Sequence, residues 1–251
     1  MSEALTIPTP RDEEWRYADG EILRGLSPEV FGKWKDVLLA PGETRSKCLV
    51  VGSAAPELHR IRIDVPEGAR AELFVVNLGG DYTRVEAQVQ LAKGAHFQFG
   101  GVTIGGGDAT REFITRIAHA EPEATSTQVI RAVHWDRATG NFLGRIEVAR
   151  DAQKTDAVQD FKGLLLGKGA TINAKPELEI FADDVKCAHG AAIGALDQRA
   201  AYYMASRGLD PETARKLLVR AFLADAFVAL DDESERDRLT EAALSALGDA
   251  V

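Results

Sequence analysis

Alternation of apolar and polar residues dominates the middle of the chain. Residues 58–65 read Leu-His-Arg-Ile-Arg-Ile-Asp-Val, and apolar and polar side chains alternate strictly from Arg60 to Val65. Short alternating runs separated by turn-forming residues are typical of β-strands. They predict a mainly β architecture over the central part of the chain, from about residue 47 to residue 184. The same two-residue period returns at Val85, Ala87, Val89 and Leu91, and again at Phe142, Gly144, Ile146 and Val148.

Corner-like segments recur between these runs. Pro66-Glu67-Gly68-Ala69 resembles Ala92-Lys93-Gly94-Ala95, which lies 26 residues later, and Glu121-Pro122-Glu123-Ala124 is a looser copy. We interpret Gly167-Lys168-Gly169-Ala170 as a further copy. Such a period fits one coil of a β-solenoid, in which glycine turns a corner and a small residue packs at the bend. A β-sandwich would give a similar texture, so the pattern alone leaves both architectures open.

The period changes after Asp197. Asp210-Pro211-Glu212 predicts a helix start, because it offers an N-cap, a proline at the first helical position and an acid in the first turn. A second helix is predicted over residues 234–247, ended by Gly248, and a shorter one from Tyr202 to Gly208. The first of these helices is expected to pack through one apolar face: Ala214, Leu217, Leu218, Ala221, Phe222 and Val228.

The N-terminal part is polar and carries few strand signals. Trp15 and Tyr17 are expected to anchor this segment on the body of the protein, and Ser27-Pro28-Glu29 predicts a short helix. The sequence therefore divides into three predicted segments. They are an arm with a short helical segment (residues 1–46), a β core (47–196) and a C-terminal helical segment (197–251).

Charge and composition exclude several classes of protein. The 251 residues carry a formal net charge of −9, which argues against a nucleic-acid partner. No apolar run approaches the roughly 18 residues of a transmembrane helix. The first residues lack the basic and apolar regions of a secretory signal, so a cytoplasmic location without membrane association is expected. Two cysteines do not form a disulfide framework.

One glycine-rich segment suggests nucleotide binding but lacks two features of a phosphate-binding loop. Residues 163–169 (Gly-Leu-Leu-Leu-Gly-Lys-Gly) resemble a phosphate-binding loop, but the spacer is too short and glycine replaces the required Ser or Thr. The segment also lies in strand texture with no helix behind it. We therefore predict no ATP hydrolysis by this chain.

Cys187-Ala188-His189 is the best candidate for metal chemistry. In an extended segment, side chains two residues apart project from one face, so the thiol and the imidazole would lie together. A soft sulfur and a nitrogen ligand suit iron, zinc or copper(I). Asp183 and Asp184 lie just upstream and could add oxygen ligands. The structural alternative is a buried thiol beside a histidine that is hydrogen-bonded to a carboxylate.

Other titratable residues are weaker candidates. His96, His119 and His134 lie in separate strand segments, and stacked coils could align them into a metal site. Scattered histidines are more commonly ordinary surface or core residues, and we favour that interpretation. Cys48 is expected to be a buried small apolar residue.

Three segments carry a resemblance to a known family. They are ELEIFADDVKCAHGAAIGALD (residues 177–197), YYMASRG (202–208) and PRDEEWRYADGEIL (10–23). Together they resemble the SufB/SufD family of iron–sulfur cluster assembly scaffold proteins, and most of all its SufD-like branch, in a short form. The resemblance implies a right-handed parallel β-helix with a C-terminal α-helical segment, and so favours the solenoid over the sandwich.

The resemblance also implies a function. The chain would be a scaffold subunit, not an enzyme, of a SufBCD-type complex that pairs with a SufB-like subunit and docks SufC-like ABC ATPases through residues 197–251. His189 matches the family position implicated in building the nascent cluster, and Cys187 matches a neighbouring family cysteine. Because four thiolates are the usual complement of a cluster, two ligands imply a transient site shared with the partner subunit. The family further implies reduced FAD in the complex, and similar surfaces would allow a homodimer when the chain is alone.

Two other functions stay open on the sequence. One is a stand-alone β-solenoid enzyme, either metal-dependent or carbohydrate-acting. The other is a purely structural subunit without cluster chemistry, in which His189 only packs. Likewise, the C-terminal helices could simply cap the β core.

Overall fold

A computed structural model of the chain describes residues 7–250, without the side chain of Asp249. Its centre is a stack of parallel strands that form two sheets of six strands each. The first sheet has the order β1-β3-β5-β7-β9-β11 and the second β12-β10-β8-β6-β4-β2. The strands are β1 (Lys35–Leu38), β2 (Thr44–Val51), β3 (Glu57–Val65), β4 (Arg70–Asn77), β5 (Tyr82–Leu91), β6 (His96–Gly105), β7 (Thr110–His119), β8 (Thr125–His134), β9 (Thr139–Val148), β10 (Asp156–Leu165), β11 (Thr171–Ile180) and β12 (Lys186–Gly194).

Successive strands alternate between the two sheets, so each coil contributes one strand to each. Every pairing between the described strands is parallel, and Arg70 of β4 lies beside His96 of β6, one coil later. The predicted β-solenoid is therefore confirmed, because a β-sandwich is built from antiparallel strands. Inward-facing apolar side chains of the two sheets meet in a large core cluster, and a smaller cluster around Val148 and Ala157 lies toward the C-terminal coils. Within the large cluster the rings of Phe142 and Phe161 stack at a centroid distance of 5.1 Å.

The corner from the first sheet to the second repeats as predicted. Gly68 and Gly94 have φ of 66° and 62°, where a side chain would be strained, and their amides donate to the carbonyls of Lys93 and Pro122 in the next coil. The alanine that follows each of these glycines is buried at the bend. The predicted equivalence of residues 167–170 is wrong, because they connect β10 to β11 and lie at the opposite corner. Glycine recurs at both corners of a coil, so sequence similarity alone does not distinguish one corner from the other.

Helices close the C-terminal part of the chain. They are α2 (Gln198–Ser206), α3 (Pro211–Ala224) and α4 (Glu233–Leu247), with a 3-10 turn at Asp225–Phe227. Asp210 caps α3, with its carboxylate 2.9 Å from the Thr213 amide, and Pro211 is the first helical residue, as predicted. A second core joins these helices to the outer face of the second sheet through Phe74, Val76, Val102, Ile104, Val219, Leu223, Phe227, Leu239 and Ala243.

The predicted packing face of α3 is partly wrong. Ala214 is buried, but Leu217 is exposed, as is Val228 after the helix, whereas Val219 and Leu223 are fully buried. The face of α3 that packs on the sheet is rotated from the face that the apolar spacing favours. The helical segment is therefore left with apolar side chains in solvent.

The N-terminal segment lies on the outer face of the first sheet. It contains a 3-10 turn (Glu13–Trp15), the short helix α1 (Gly20–Gly25) and a second 3-10 helix (Pro28–Gly32). Trp15 is buried and lies under the Arg84 guanidinium at 3.7 Å, which confirms the predicted anchor for Trp15, whereas Tyr17 is only half-buried. Residues 1–6 of the predicted arm lie outside the described residues.

The solenoid strands run from Lys35 to Gly194, while the division of the chain into three domains stays a prediction. Across residues 7–250, none of the helices has the length and apolar character needed to cross a membrane.

Gly100 sets the contact between the solenoid and the helices. A Cβ built on Gly100 would lie 2.2 Å from the carbonyl oxygen of Ala226 and 2.5 Å from the Phe74 ring. We expect Gly100→Ala to lower the free energy of unfolding by about 1–3 kcal/mol, because the backbone of the 3-10 turn must move away from the sheet. Urea unfolding measures the loss. Gly194→Ala is the control, since a Cβ there meets nothing within 4 Å, and an equal loss in both variants would contradict the prediction.

Candidate functional site

The candidate ligands lie on β12, the terminal strand of the second sheet. One side of β12 pairs with β10 in parallel register, and the strand order places nothing on its other side among the described strands. From Ala188 to Gly194 every residue of β12 is exposed. The strand thus offers both a row of backbone groups and its side chains to a partner.

Cys187 and His189 face the same side of β12, as predicted. Cys187 lies beside Ala157, and His189 lies beside Gln159. Directly paired residues in a sheet point to the same face. Ala157 and Gln159 are fully buried inside the solenoid, so Cys187 and His189 face the continuation of that interior at its open end.

The two ligands have different surroundings. Cys187 is half-buried and packs against the apolar cluster that contains Val148, Ala157 and Ala182. This burial raises the pKa of its thiol, and the nearby carboxylate of Asp156 raises it further. The thiol is therefore protonated at neutral pH and must lose its proton to bind a metal. His189 is exposed and available to a ligand from outside.

A column of buried amides continues below His189. Gln159 occupies the next coil and Gln128 the coil after it, in register. Both side chains are fully buried, and their amide atoms have no hydrogen-bond partner among the described residues. No local motif marks these glutamines in the sequence, although both stand at inward positions of alternating strands.

The upstream aspartates do not complete a metal site. Asp183 and Asp184 lie in the exposed turn between β11 and β12. The Asp184 backbone is part of the corner, where its carbonyl accepts from the Lys154 amide at 2.6 Å. No group of three or more His, Cys, Asp or Glu side chains suited to a metal ion exists within the described part of the chain. Any metal that Cys187 and His189 hold would need further ligands from elsewhere.

The other histidines do not come together. His96 begins β6, and His134 ends β8 at the opposite end of the sheet, beside Gly105. Each has its own hydroxyl partner: Thr125 for His96, Ser126 for His119 and Thr103 for His134. The favoured interpretation of ordinary core and surface residues therefore fits these contacts. Cys48 is half-buried, and burial followed by Glu235 raises the pKa of its thiol to about 11.

A second exposed surface lies on the C-terminal helices. The short helix α2 buries none of its residues, and Tyr202 and Tyr203 are 78% and 58% exposed. Leu217 and Leu244 line a groove between α3 and α4, together with Lys216 and Arg220. Apolar and aromatic side chains displayed in this way are typical of a protein interface.

This combination defines a class of protein: a parallel β-solenoid that presents a Cys-x-His pair on its terminal strand and an apolar helical surface beside it. Residues 47–222 match the family model described as "SUF system FeS cluster assembly, SufBD core domain". The match covers more than half of the chain, so the chain belongs to the SufB/SufD family.

Individual relatives agree with this assignment. The chain is 38% identical to the iron-sulfur cluster assembly protein SufD of Escherichia coli (strain K12) over 125 residues, which are 50% of this chain and 30% of that protein. It is 34% identical over 174 residues to an iron-sulfur cluster assembly SufBD family protein of Synechocystis sp., covering 69% of this chain and 38% of the relative. SufD of Bacillus subtilis is 33% identical over 138 residues, 55% of this chain and 32% of that protein. The chain thus matches about a third of the length of these relatives.

Proposed function

We propose that this chain is a cytoplasmic scaffold subunit of a SufBCD-type complex that assembles iron–sulfur clusters. It pairs with a SufB-like subunit and docks SufC-like ABC ATPases. In this proposal the chain binds and positions cluster components, and it is not itself an enzyme. Membership of the SufB/SufD family supports the general role, and the partners are part of the proposal.

The observation that carries the proposal is the position of His189. It projects from a terminal strand whose outer edge has no partner among the described strands, on the same face as Cys187, and both lie at the open end of the solenoid. A strand with free backbone groups can pair with a strand of a second subunit. Such pairing would bring ligands from the partner beside His189 and Cys187, which is what a two-ligand half-site needs.

The donor set fits a nascent cluster as cargo. The imidazole of His189 can offer a neutral nitrogen to iron, and Cys187 can offer a thiolate once its proton has left. Because burial and Asp156 raise the pKa of Cys187, its entry as a ligand would release a proton. We therefore assign His189 as the first ligand and Cys187 as a second that joins when metal arrives.

The C-terminal helices are the proposed docking surface for the ATPase. Tyr202, Tyr203 and Leu217 are exposed there, and aromatic residues are enriched at interfaces. The remaining proposals follow the family. The complex uses reduced FAD, for which we assign no residues here, and the chain forms a homodimer through β12 when no SufB-like partner is present.

Replacing His189 by alanine tests the proposal. The chain is mixed with a SufB-like and a SufC-like protein from the same source, co-elution is measured by size exclusion, and cluster formation is then followed by absorbance. We expect His189→Ala to leave co-elution intact and to lower the rate of cluster formation by at least about tenfold, since losing a metal-site partner typically costs 10–100-fold.

A matched control is available in His59. It is a partly exposed histidine at the other end of the solenoid, paired with Glu57 at 3.1 Å. His59→Ala should leave cluster formation unchanged. An unaltered rate in His189→Ala would reduce His189 to a structural residue, and failure of the wild-type chain to bind either partner would refute the complex.

A further inference from the structure

Arg131 is a buried cation that neither the family assignment nor the candidate site uses. It stands on β8, on the outer face that the helices cover, and its side chain is 2% exposed. All of its donor groups are engaged. Nε donates to the Asp225 carboxylate at 2.9 Å, Nη1 donates to the carbonyls of Ile130 at 2.8 Å and Asp160 at 3.2 Å, and Nη2 donates to the carboxylates of both Asp160 and Asp225.

These contacts join two parts of the molecule that are distant in sequence. Asp225 begins the 3-10 turn after α3, 94 residues beyond Arg131, while Asp160 lies on β10. We call the three side chains Arg131, Asp160 and Asp225 the Arg131 bridge. A planar guanidinium that holds two carboxylates fixes their relative geometry, which a flexible ammonium group cannot do.

The bridge ends one strand away from the candidate ligands. Asp160 lies directly beside Gly190 of β12, the residue after His189. On the helix side, the 3-10 turn packs on the sheet in two places. Ala226 approaches Gly100 closely, and the rings of Phe227 and Phe74 make an edge contact with their centroids 6.5 Å apart. Both ends of the bridge are therefore held by packed groups. A closely packed interior transmits a displacement instead of absorbing it, so a movement at one end reaches the other.

We propose that Arg131 is a positioning residue that couples the C-terminal helices to the terminal strand β12. A displacement of α3 moves Asp225, the guanidinium carries that movement to Asp160, and β10 carries it to the strand that holds His189. This inference rests on the proposed function for its consequence, since the helices are the proposed ATPase surface. The coupling itself is a property of this chain and can be tested without a partner.

Amide hydrogen exchange on the purified chain gives the first test. Asp225→Asn weakens the helix end of the bridge and leaves Asp160 in place, so an effect on β12 that Arg131→Met reproduces points to the bridge and not to the apolar packing of the helices on β10. We expect residues 186–194 to exchange about tenfold faster in Asp225→Asn and in Arg131→Met, while the inner strands β4 and β6 keep their protection. Arg137→Met is the control, because Arg137 forms an exposed ion pair with Asp108 that involves neither the helices nor β12.

Two results would overturn the coupling. In one, exchange rises only in the helices, which makes the bridge a local support. In the other, exchange rises equally in every strand, which indicates general destabilisation. Should Arg131→Met fail to fold, Asp225→Asn and Asp160→Asn carry the test, because both carboxylates are partly exposed and the cation stays in place.

The reconstituted complex gives the second test. With the SufB-like and SufC-like proteins, Asp225→Asn should keep co-elution and ATP hydrolysis but lower cluster formation about tenfold, and the double variant Arg131→Met/Asp225→Asn should be no worse than either single one. Normal cluster formation in both single variants, with His189→Ala inactive, would refute the coupling and leave the proposed function intact. If His189→Ala is fully active, the proposed role of His189 in cluster formation fails, and hydrogen exchange alone decides the coupling.

Discussion

Replacing Glu112 by glutamine is expected to lower the free energy of unfolding by about 3–5 kcal/mol, the range for breaking a buried ion pair. The Glu112 carboxylate is fully buried on the outer face of the first sheet. It accepts from the Tyr82 hydroxyl at 2.6 Å, from Arg84 at 3.2 Å and from the Asn141 amide at 2.8 Å. Every one of these groups donates, so a glutamine NH₂ placed there would face another donor.

The lost negative charge adds to the destabilisation expected for Glu112→Gln. Arg84 is fully buried, and its remaining acidic partner is Glu86, at 3.4 Å. Burial, and then the Glu112 charge, raise the pKa of Tyr82 well above its ordinary value, so the phenol stays a neutral donor. Without Glu112, the guanidinium under the N-terminal segment loses its closest counter-charge, and an uncompensated buried cation is strongly destabilising.

Urea unfolding with fluorescence detection measures the effect. Glu241→Gln is the control, because Glu241 pairs with Arg220 in an exposed salt bridge and should contribute less than about 1 kcal/mol. Similar small losses in both variants would show that the Glu112 cluster contributes little to stability. A large loss in Glu112→Gln should be accompanied by release of the N-terminal segment, since Arg84 and Asn141 hold the carbonyls of Glu14 and Tyr17.

Acidification is expected to destabilise the chain through two buried histidines. Burial, together with the charge of Arg111, lowers the pKa of His134 to about 3, and burial lowers the pKa of His119 to about 4. In the unfolded chain both titrate near 6.5. Between these values the unfolded state binds more protons, so the stability is fully present above pH 6.5 and is lost as the pH falls.

The size of this effect follows from the shift. Each histidine contributes about 1.4 kcal/mol per pH unit, so going from pH 7.5 to pH 5 should remove roughly 4 kcal/mol through the pair. Urea unfolding at the two pH values gives the slope. Carboxylates also titrate in this range. The double variant His119→Gln/His134→Gln removes the histidine contribution and so separates it from the contribution of the carboxylates. It should lose about 4 kcal/mol less than the wild type on acidification, and equal slopes would contradict the assignment.

The sequence by itself determined the local order of the chain. Alternation at residues 58–65 gives strands because the side-chain period of a strand is two, and the same period places Cys187 and His189 on one face. The N-terminus of α3 was predictable from Asp210 and Pro211, since capping depends on adjacent residues. Residues 177–197, which carry the family resemblance, also contain the candidate ligands, so Cys187 and His189 could be proposed from the sequence.

Only the tertiary structure decided which of these elements meet. Stacking brings Glu112 beside Tyr82, 30 residues earlier, and brings Arg131 to Asp225, 94 residues later, and no local spacing encodes either contact. It also decided that the sheet packs on Val219 and Leu223 and leaves Leu217 exposed, because the close approach at Gly100 orients the helical segment. The physical reason is the same in each case: burial and hydrogen-bond partners depend on neighbours in space, whereas periodicity and capping depend on neighbours along the chain.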